Sequence, residues 1–461
     1  MGNNEIIVSI DIGTTKVAAI AGRLNETGKI QILGYSSTPS YGVQRGTVTN
    51  ILDTVEAINK VIKELKEKVG LEVGEVFVGI AGQHIRSLQH NDSYIRANRE
   101  EEISDEEIKN FINNMFKLAV PAGEKILHVI PQEFEIDKQP GMKPVGAYGS
   151  NVRADFHIIV GNITSAQNIC KCIDKAGLTL IKNGLIVEPL ASAEAVLTED
   201  EMDAGVALVD MGGGTTDIAI FKDKIIRHTA VIPLGGNIIT EDIKQGCTII
   251  ARQAEALKLK FGSALAENKS DDDRVSIPGV NGRNPREISL KNLANIIEAR
   301  VEEILERVSY EIMISGYDKK LICGIVLTGG GSELKDIRLL TEYRTGMDCR
   351  IGKPNEHIDI NGINDIISPK YATGVGLLLK GYKNMDPEDI IEIQPTTTRI
   401  KFPAFFKKGQ KEKEKEKVEP TKEQTKVNKS QEVKEKPPKV KQVKDNPGGL
   451  FDTIFGDNNY Q

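Results

Sequence analysis

Tryptophan is absent from the 461-residue chain, aromatic residues make up only 5%, and there are five cysteines. The cysteines (Cys170, Cys172, Cys247, Cys323 and Cys349) are odd in number and widely spread, and Met1 to Glu5 run straight into an apolar strand rather than a leader. Reduced thiols in the cytoplasm are the expectation. The Cys-x-Cys at 170 and 172 has no second Cys or His pair nearby, so it reads as two buried helix positions rather than a metal pair. No apolar run reaches the roughly eighteen residues that a spanning helix needs, which excludes an integral helical membrane protein. A surplus of positive charge is also missing. The net charge of −6 argues against nucleic acid as the main partner, because duplex binding rests on dense cationic patches.

What is present is an aliphatic, globular composition, 39% apolar and 27% charged, long enough for about two to four folded units. Charge is unevenly placed. Residues 407–445 hold fourteen Lys against seven Glu and one Asp, a net +6; residues 446–461 carry −2, and everything before carries −10. An acidic body carries a basic tail.

Up to about Met385, short β-rich runs alternate with helical patterns, the signature of layered α/β architecture. Strands are predicted at Ile6 to Ile10, Val17 to Ala21, Lys29 to Tyr35, Val76 to Ile80, Val206 to Val209, Ile218 to Phe221 and Ile322 to Leu327. Apolar spacing of three and four predicts helices at Ile51 to Glu67, Asp105 to Phe116, Ser165 to Lys175, Ile250 to Lys260 and Lys291 to Ile314. One pattern occurs twice. Asp11-Ile-Gly-Thr-Thr-Lys-Val-Ala-Ala-Ile returns, loosened, as Asp210-Met-Gly-Gly-Gly-Thr-Thr-Asp-Ile-Ala-Ile, each between two apolar strands. A repeat about two hundred residues apart is too long for a solenoid, so two homologous lobes facing a shared cleft are expected.

Each copy places Gly and Thr in a tight turn, where backbone N–H and hydroxyl donors converge as a polyphosphate requires. Gly13, Thr14 and Thr15 make one loop; Gly212, Gly213, Gly214, Thr215 and Thr216 make the other. Lys16 is placed to meet the terminal phosphates. Asp11 and Asp210 end their strands at the loop mouths, where carboxylates hold hydrated Mg²⁺ through its waters. A third Gly-rich turn, with Gly329, Gly330, Gly331 and Ser332, follows a strand and is suited to close approach of a nucleoside. Any one of these loops is an ordinary turn; three in this order point to ATP with Mg²⁺.

After Phe406 the composition turns to Lys, Glu, Gln, Pro and Val without periodicity, a segment that cannot bury enough surface to fold. About forty such residues span on the order of 35 Å when flexible. Apolar residues then return. On a helical wheel Leu450, Phe451, Ile454 and Phe455 cover roughly 0° to 140°, while Asp452, Thr453, Gly456 and Asp457 fill roughly 200° to 340°. Burying those four side chains gains roughly 6 to 12 kcal/mol gross, before the cost of ordering a short helix.

The two phosphate loops, the adenosine loop and two connecting segments, Glu188-Pro-Leu-Ala-Ser-Ala-Glu-Ala-Val-Leu and Tyr371-Ala-Thr-Gly-Val-Gly-Leu, resemble the actin, Hsp70 and sugar-kinase superfamily. The implied fold is a pair of ribonuclease-H-like, actin-like lobes around a nucleotide cleft. By the same resemblance Glu188 occupies the position that orients the attacking water; a charge at a helix N-terminus is the other reading. ATP binding with at most weak hydrolysis is implied. Within the superfamily the chain resembles the FtsA family over residues 5 to about 385. The similarity is carried by Tyr41-Gly-Val-Gln-Arg-Gly-Thr-Val, Gly79-Ile-Ala-Gly-Gln-His, Ala251-Arg-Gln-Ala-Glu-Ala-Leu-Lys-Leu-Lys-Phe-Gly and Ile296-Ile-Glu-Ala-Arg-Val-Glu-Glu-Ile.

That resemblance implies the remaining assignments. Residues 1–83 and 162–203 form the first lobe, 84–161 an inserted α+β domain used in polymer contact, and 204–385 the second lobe with a smaller subdomain at about 235–314. Residues 386–446 are a linker and 447–461 a membrane-targeting segment, of which one copy should bind weakly; Lys439, Lys441 and Lys444 would each add about 1 kcal/mol near anionic lipid, several tethered copies would add avidity, and a peptide that docks on a protein partner is the alternative. Glu255 and Lys258 match positions that contact adenosine, although an ion pair one turn apart is the plainer reading. Arg300 matches a contact to the C-terminal peptide of the tubulin-like ring protein FtsZ, or is simply solvated. Further implied partners are the chain itself, as a filament, membrane lipid, and later division proteins at the division site on the inner face of the plasma membrane. A pilus-assembly or shape-determining actin homologue is a more distant alternative. A sugar kinase is more distant still, since no Asp base stands out.

Overall fold

The computed structural model describes residues 6–385, apart from 27, 71, 142, 280–283, 356 and 360–362. The linker at 386–446 and the segment 447–461, with Leu450, Phe451, Ile454 and Phe455, lie outside the described residues.

The first sheet orders its strands Thr179–Val187, Glu75–Ile80, Ile6–Ile12, Lys16–Leu24, Ile30–Pro39 and Ile358–Asp359. The second sheet repeats the same plan, with Cys349–Ile351, Ile325–Thr328, Val206–Met211, Thr216–Lys222 and Ile225–Ile232. In each, an antiparallel hairpin at the centre is flanked by a parallel strand, and the central strands are buried on both faces. Burial on both faces explains the continuous Ile, Val and Ala runs there. Two apolar cores result: one fills the first lobe and continues onto one face of the second sheet through Val206, Leu208, Ala219, Phe221 and Val326, and the other lies on the opposite face of the second sheet with Val209, Ile218 and Leu327.

Helix Ile51–Val69 shows how local signals set the ends. Asn50 accepts from the Leu52 and Asp53 amides, and Gly70 closes the helix at φ 72°, a left-handed conformation suited to glycine. Its buried Thr54, Ala57, Ile58, Val61, Ile62 and Leu65 follow helical spacing against the first sheet.

Two connecting helices, Glu188–Val196 and Ala372–Met385, cross between the lobes. Glycine permits the crossing: a Cβ on Gly376 would overlap the Ala191 carbonyl, and one on Gly381 would fall 2.8 Å from the Phe77 ring. Residues 204–385 are expected from sequence to form one lobe, but the strand Ile358–Asp359 pairs with the first sheet, and Tyr371, Val375, Leu377 and Leu378 pack in the first core. The chain returns to the first lobe because its last apolar face fits the groove beside Glu188–Val196.

The insert is a sheet of Arg86–Ile95, Asn151–Asn162, Glu124–Ile136 and Gln139–Pro140, covered by helix Asp105–Met115. Ile108, Phe111, Ile112 and Met115 of that helix close a third core on Val152, Phe156 and Ile158. The insert also caps the open edge of the second lobe. Gln89 donates to the Arg227 carbonyl at 3.1 Å, Ser87 to the Thr229 carbonyl at 3.2 Å and Gln132 to the Ile226 carbonyl at 2.5 Å. Side chains thus satisfy an edge strand that would otherwise be a pairing template. His157 sits within 3.2 Å of the Thr229 hydroxyl, and burial, aided by His228, pushes its pKa down to about 4.

Candidate functional site

The two central hairpins are the same device in different residues. Asp11 faces Ala18 and Ile12 faces Val17 in one; Asp210 faces Asp217 and Met211 faces Thr216 in the other. The turns are closed alike, by the Gly13 amide on the Lys16 carbonyl at 3.0 Å and the Gly212 amide on the Thr215 carbonyl at 2.9 Å. Structurally, then, Thr14 and Thr15 correspond to Gly213 and Gly214, and Lys16 to Thr215. The loops meet tip to tip. A Cβ on Gly214 would lie 2.5 Å from Thr14 Oγ1 and 2.9 Å from Arg45 Cα, and one on Gly213 would overlap Thr15 Oγ1. Only glycine lets both lobes approach this closely.

Loop carbonyls are taken while amides remain. Gly212 and Gly213 carbonyls accept from the Gly236 and Asn237 amides at 2.9 and 2.8 Å, and the Thr15 carbonyl from Ser40 at 3.0 Å. Among the described residues, the amides of Thr14, Thr15, Gly213 and Gly214 have no backbone partner. They border a cavity of about 660 Å³ lined by Gly13, Lys16, Asp11, Asp210, Glu188, Glu255, Lys258, Gly329, Gly330 and Gly331. Loop amides at one end and a Gly-rich wall at the other fit a nucleoside polyphosphate.

Four carboxyls crowd the floor. Asp210 Oδ2 accepts from Ser192 at 2.6 Å and Thr373 at 3.3 Å, yet burial, with Asp11 nearby, raises its pKa. Asp217 is raised to about 8 by burial and by Asp210 across the ladder, and its Oδ1 is buried without a partner. Glu188 is held well above the usual carboxylate range by burial first, then by Asp11, Asp217 and Asp210. A hydrated divalent cation suits such a cluster, since it supplies positive charge and an O–H donor for Asp217 Oδ1; Oδ2 already accepts from the Thr215 hydroxyl at 3.3 Å. Among the described residues no three acidic, His or Cys side chains converge closely enough to ligate a metal directly.

Several sequence expectations change in detail. Thr216 does not line the cavity: strand alternation turns it away, and its hydroxyl donates to the Leu234 carbonyl at 2.8 Å. Ser332 likewise folds back on its own loop, donating to the Gly329 carbonyl at 2.7 Å. Glu188 opens its helix ahead of Pro189 and also reaches the cavity, in space left by Gly79, whose Cβ would stand 2.9 Å from Glu188 Oε1. Glu255 and Lys258 line the cavity and pair with each other at 2.7 Å, the ion pair one turn apart that their spacing allows.

Lys258 also donates to the Gly236 carbonyl at 2.9 Å. Arg300 is not simply solvated. It grips Asp242 through Nε at 2.5 Å and Nη2 at 3.1 Å, joining helix Leu290–Ile314 to helix Gly236–Cys247. Cys172 is buried on helix Ile163–Lys175, with Cys170 partly exposed beside it.

Two features escaped the sequence. Asp217 stood in plain view at the end of the second motif, but only the register sets it opposite Asp210. The strands Val43–Gln44 and Thr47–Val48 form a small hairpin whose tip residues, Arg45 at φ 47° and Gly46 at φ 73°, reach the two Gly/Thr loops. There the Gly46 amide donates to Thr14 Oγ1 at 3.0 Å.

Known proteins share this domain plan. The model of "Cell division protein FtsA" matches residues 207–376, and that of the "SHS2 domain inserted in FTSA" matches 82–160. The cell division protein FtsA of Pseudomonas aeruginosa is 40% identical over 381 residues, covering 82% of this chain and 90% of its own length. That of Escherichia coli K12 is 36% identical over 388 residues, covering 82% and 91%. A chain of a PilM–PilN type IV pilus biogenesis complex aligns at a TM-score of 0.58 with 15% identity, covering 81% of this chain and 98% of its own, a likeness of fold alone. The duplicated actin-like lobes with an α+β insert are therefore the fold expected from sequence, and the chain belongs to the FtsA family of cell division proteins.

Proposed function

We propose that this protein binds Mg²⁺-ATP between its lobes, assembles into filaments, and tethers the FtsZ ring to the cytoplasmic membrane while recruiting later division proteins. The observation that carries the nucleotide reading is the pair of matched hairpins converging on one cavity above Asp11, Asp210, Asp217 and Glu188. The loop amides would bind phosphate oxygens, Lys16 would neutralise the terminal phosphate, and Asp11 and Asp210 would hold the metal through water. Glu188, whose carboxyl is held well above its usual range by burial and then by the neighbouring carboxylates, would orient water once ionised. A cation stabilises the ionised carboxylates and the phosphate charge alike.

The FtsZ peptide is assigned to the 235–314 subdomain, where the Arg300–Asp242 fork fixes two helices and leaves Arg300 partly exposed. Membrane attachment is assigned to residues 447–461, through Leu450, Phe451, Ile454 and Phe455. No helix among the described residues is long and apolar enough to cross a membrane. Co-sedimentation with anionic liposomes tests the whole scheme. The full chain should pellet, more so with ATP, and a chain ending at residue 446 should stay in solution. Equal pelleting of the truncated chain would remove the terminal anchor from the scheme.

A further inference from the structure

Tyr371 lies where the cleft, the first sheet and the second connecting segment meet. It is 4% exposed. The Lys16 ammonium stands 5.3 Å from its ring centroid while pairing with Asp11 at 2.5 Å, and Lys370 stands 5.2 Å from the same ring. The ring itself is fixed. Tyr35 packs edge-on at 5.3 Å and 65°, and the Tyr35 hydroxyl donates to Asp365 at 3.0 Å. The Tyr371 hydroxyl lies 3.4 Å from Ser37 Oγ. Sheet, cleft and connecting segment therefore determine together where the ring sits.

We infer that Tyr371 is a positioning residue for Lys16, holding its ammonium at the phosphate end of the cleft so that Lys16 exchanges Asp11 for a terminal phosphate without leaving the ring. The inference rests on the nucleotide reading above. Its physical basis is that a lysine side chain is long and flexible, and a carboxylate partner competes with phosphate for its N–H donors. An aromatic face attracts the ammonium through its quadrupole and takes up no oxygen-directed hydrogen bond. Asp11 alone would draw Lys16 onto itself; the ring gives Lys16 a second hold that survives when Asp11 turns to the metal's waters. Tyr371 also heads the helix Ala372–Met385, so the ring ties the cationic reach of Lys16 to the position of the segment joining the lobes.

The test is calorimetry on the full chain with Mg²⁺-ATP and Mg²⁺-ADP, using Y371F, Y371L, K16A and K16A/Y371L. Y371L should weaken ATP about tenfold and ADP less than about threefold, from the strength of a desolvated cation–ring contact. Y371F keeps the ring and should stay within about twofold of wild type. In the K16A background, adding Y371L should change ATP affinity by less than about twofold, which a purely structural role would not produce. Wild-type ATP affinity in Y371L, equal loss for ATP and ADP, or the same tenfold loss on top of K16A would each overturn the inference alone. Absence of ATP uptake by the wild-type chain, or wild-type affinity in K16A, would overturn the reading of Lys16 itself and the inference with it. Should Y371L not fold, Y371M carries the same comparison.

Discussion

Asp217→Asn is the most direct probe of the carboxyl cluster. The side chain is buried, its Oδ1 has no partner, and its pKa is carried from 3.8 to about 8. The sign follows from proton counting. Between about pH 4 and pH 8 the folded protein keeps a proton that the unfolded chain has lost, so stability falls as pH rises through that window and levels off above it. At about 1.4 kcal/mol per pH unit, the full penalty above pH 8 reaches at most about 6 kcal/mol. Glu188 and Asp210 share the site and relax when one charge is removed, so a gain of roughly 2 to 4 kcal/mol at pH 8 is expected for the amide.

Urea unfolding of the nucleotide-free chain from pH 5 to pH 9 reads this out: the wild-type midpoint should drop with pH and that of D217N should stay flatter. Added Mg²⁺-ATP should stabilise the wild type more at pH 8 than at pH 6, because the carboxyls must ionise to hold the cation's waters. Parallel midpoints for the two proteins across the range would refute the account of the cluster.

Gly213→Ala and Gly214→Ala place a methyl where the lobes touch, and each should weaken ATP binding at least about tenfold by calorimetry with little change in melting temperature, since the clash arises between loops rather than within a core. Arg96 is 6% exposed and grips Glu107 at 2.8 and 3.1 Å plus the Glu101, Glu102 and Gly149 carbonyls. R96A should destabilise the insert by roughly 3 to 5 kcal/mol, seen as faster hydrogen exchange confined to residues 86–162. Arg300→Ala should weaken binding of an FtsZ C-terminal peptide, measured by fluorescence anisotropy, and Asp242→Ala should do the same by freeing Arg300 from its fork.

Much of the architecture was legible because local signals agree with the global fold. Asn50 and Gly70 mark the ends of helix Ile51–Val69, and the apolar run Val206 to Val209 announces a strand buried on both faces. The duplicated Asp-x-Gly motif announced two lobes. What misled was register. Thr215 and Thr216 look equivalent in a string of letters, yet strand alternation sends one hydroxyl to the cleft and the other to the Leu234 carbonyl. The Ile358–Asp359 strand was too short to show a period, and its pairing partner lies more than three hundred residues away.

Composition, apolar periodicity and the repeated glycine loops were enough, by themselves, to determine the α/β class, the duplication and the location of the cleft, because each is encoded within a few neighbouring residues. Tertiary structure alone decided that Asp217 faces Asp210, that Tyr371 meets Lys16, that Arg45 and Gly46 reach the Gly/Thr loops, and that the insert caps the second lobe's edge. Those contacts join segments that chain-local patterns treat as independent. Side-chain direction in a sheet depends on pairing, and pairing is settled only when the whole core closes.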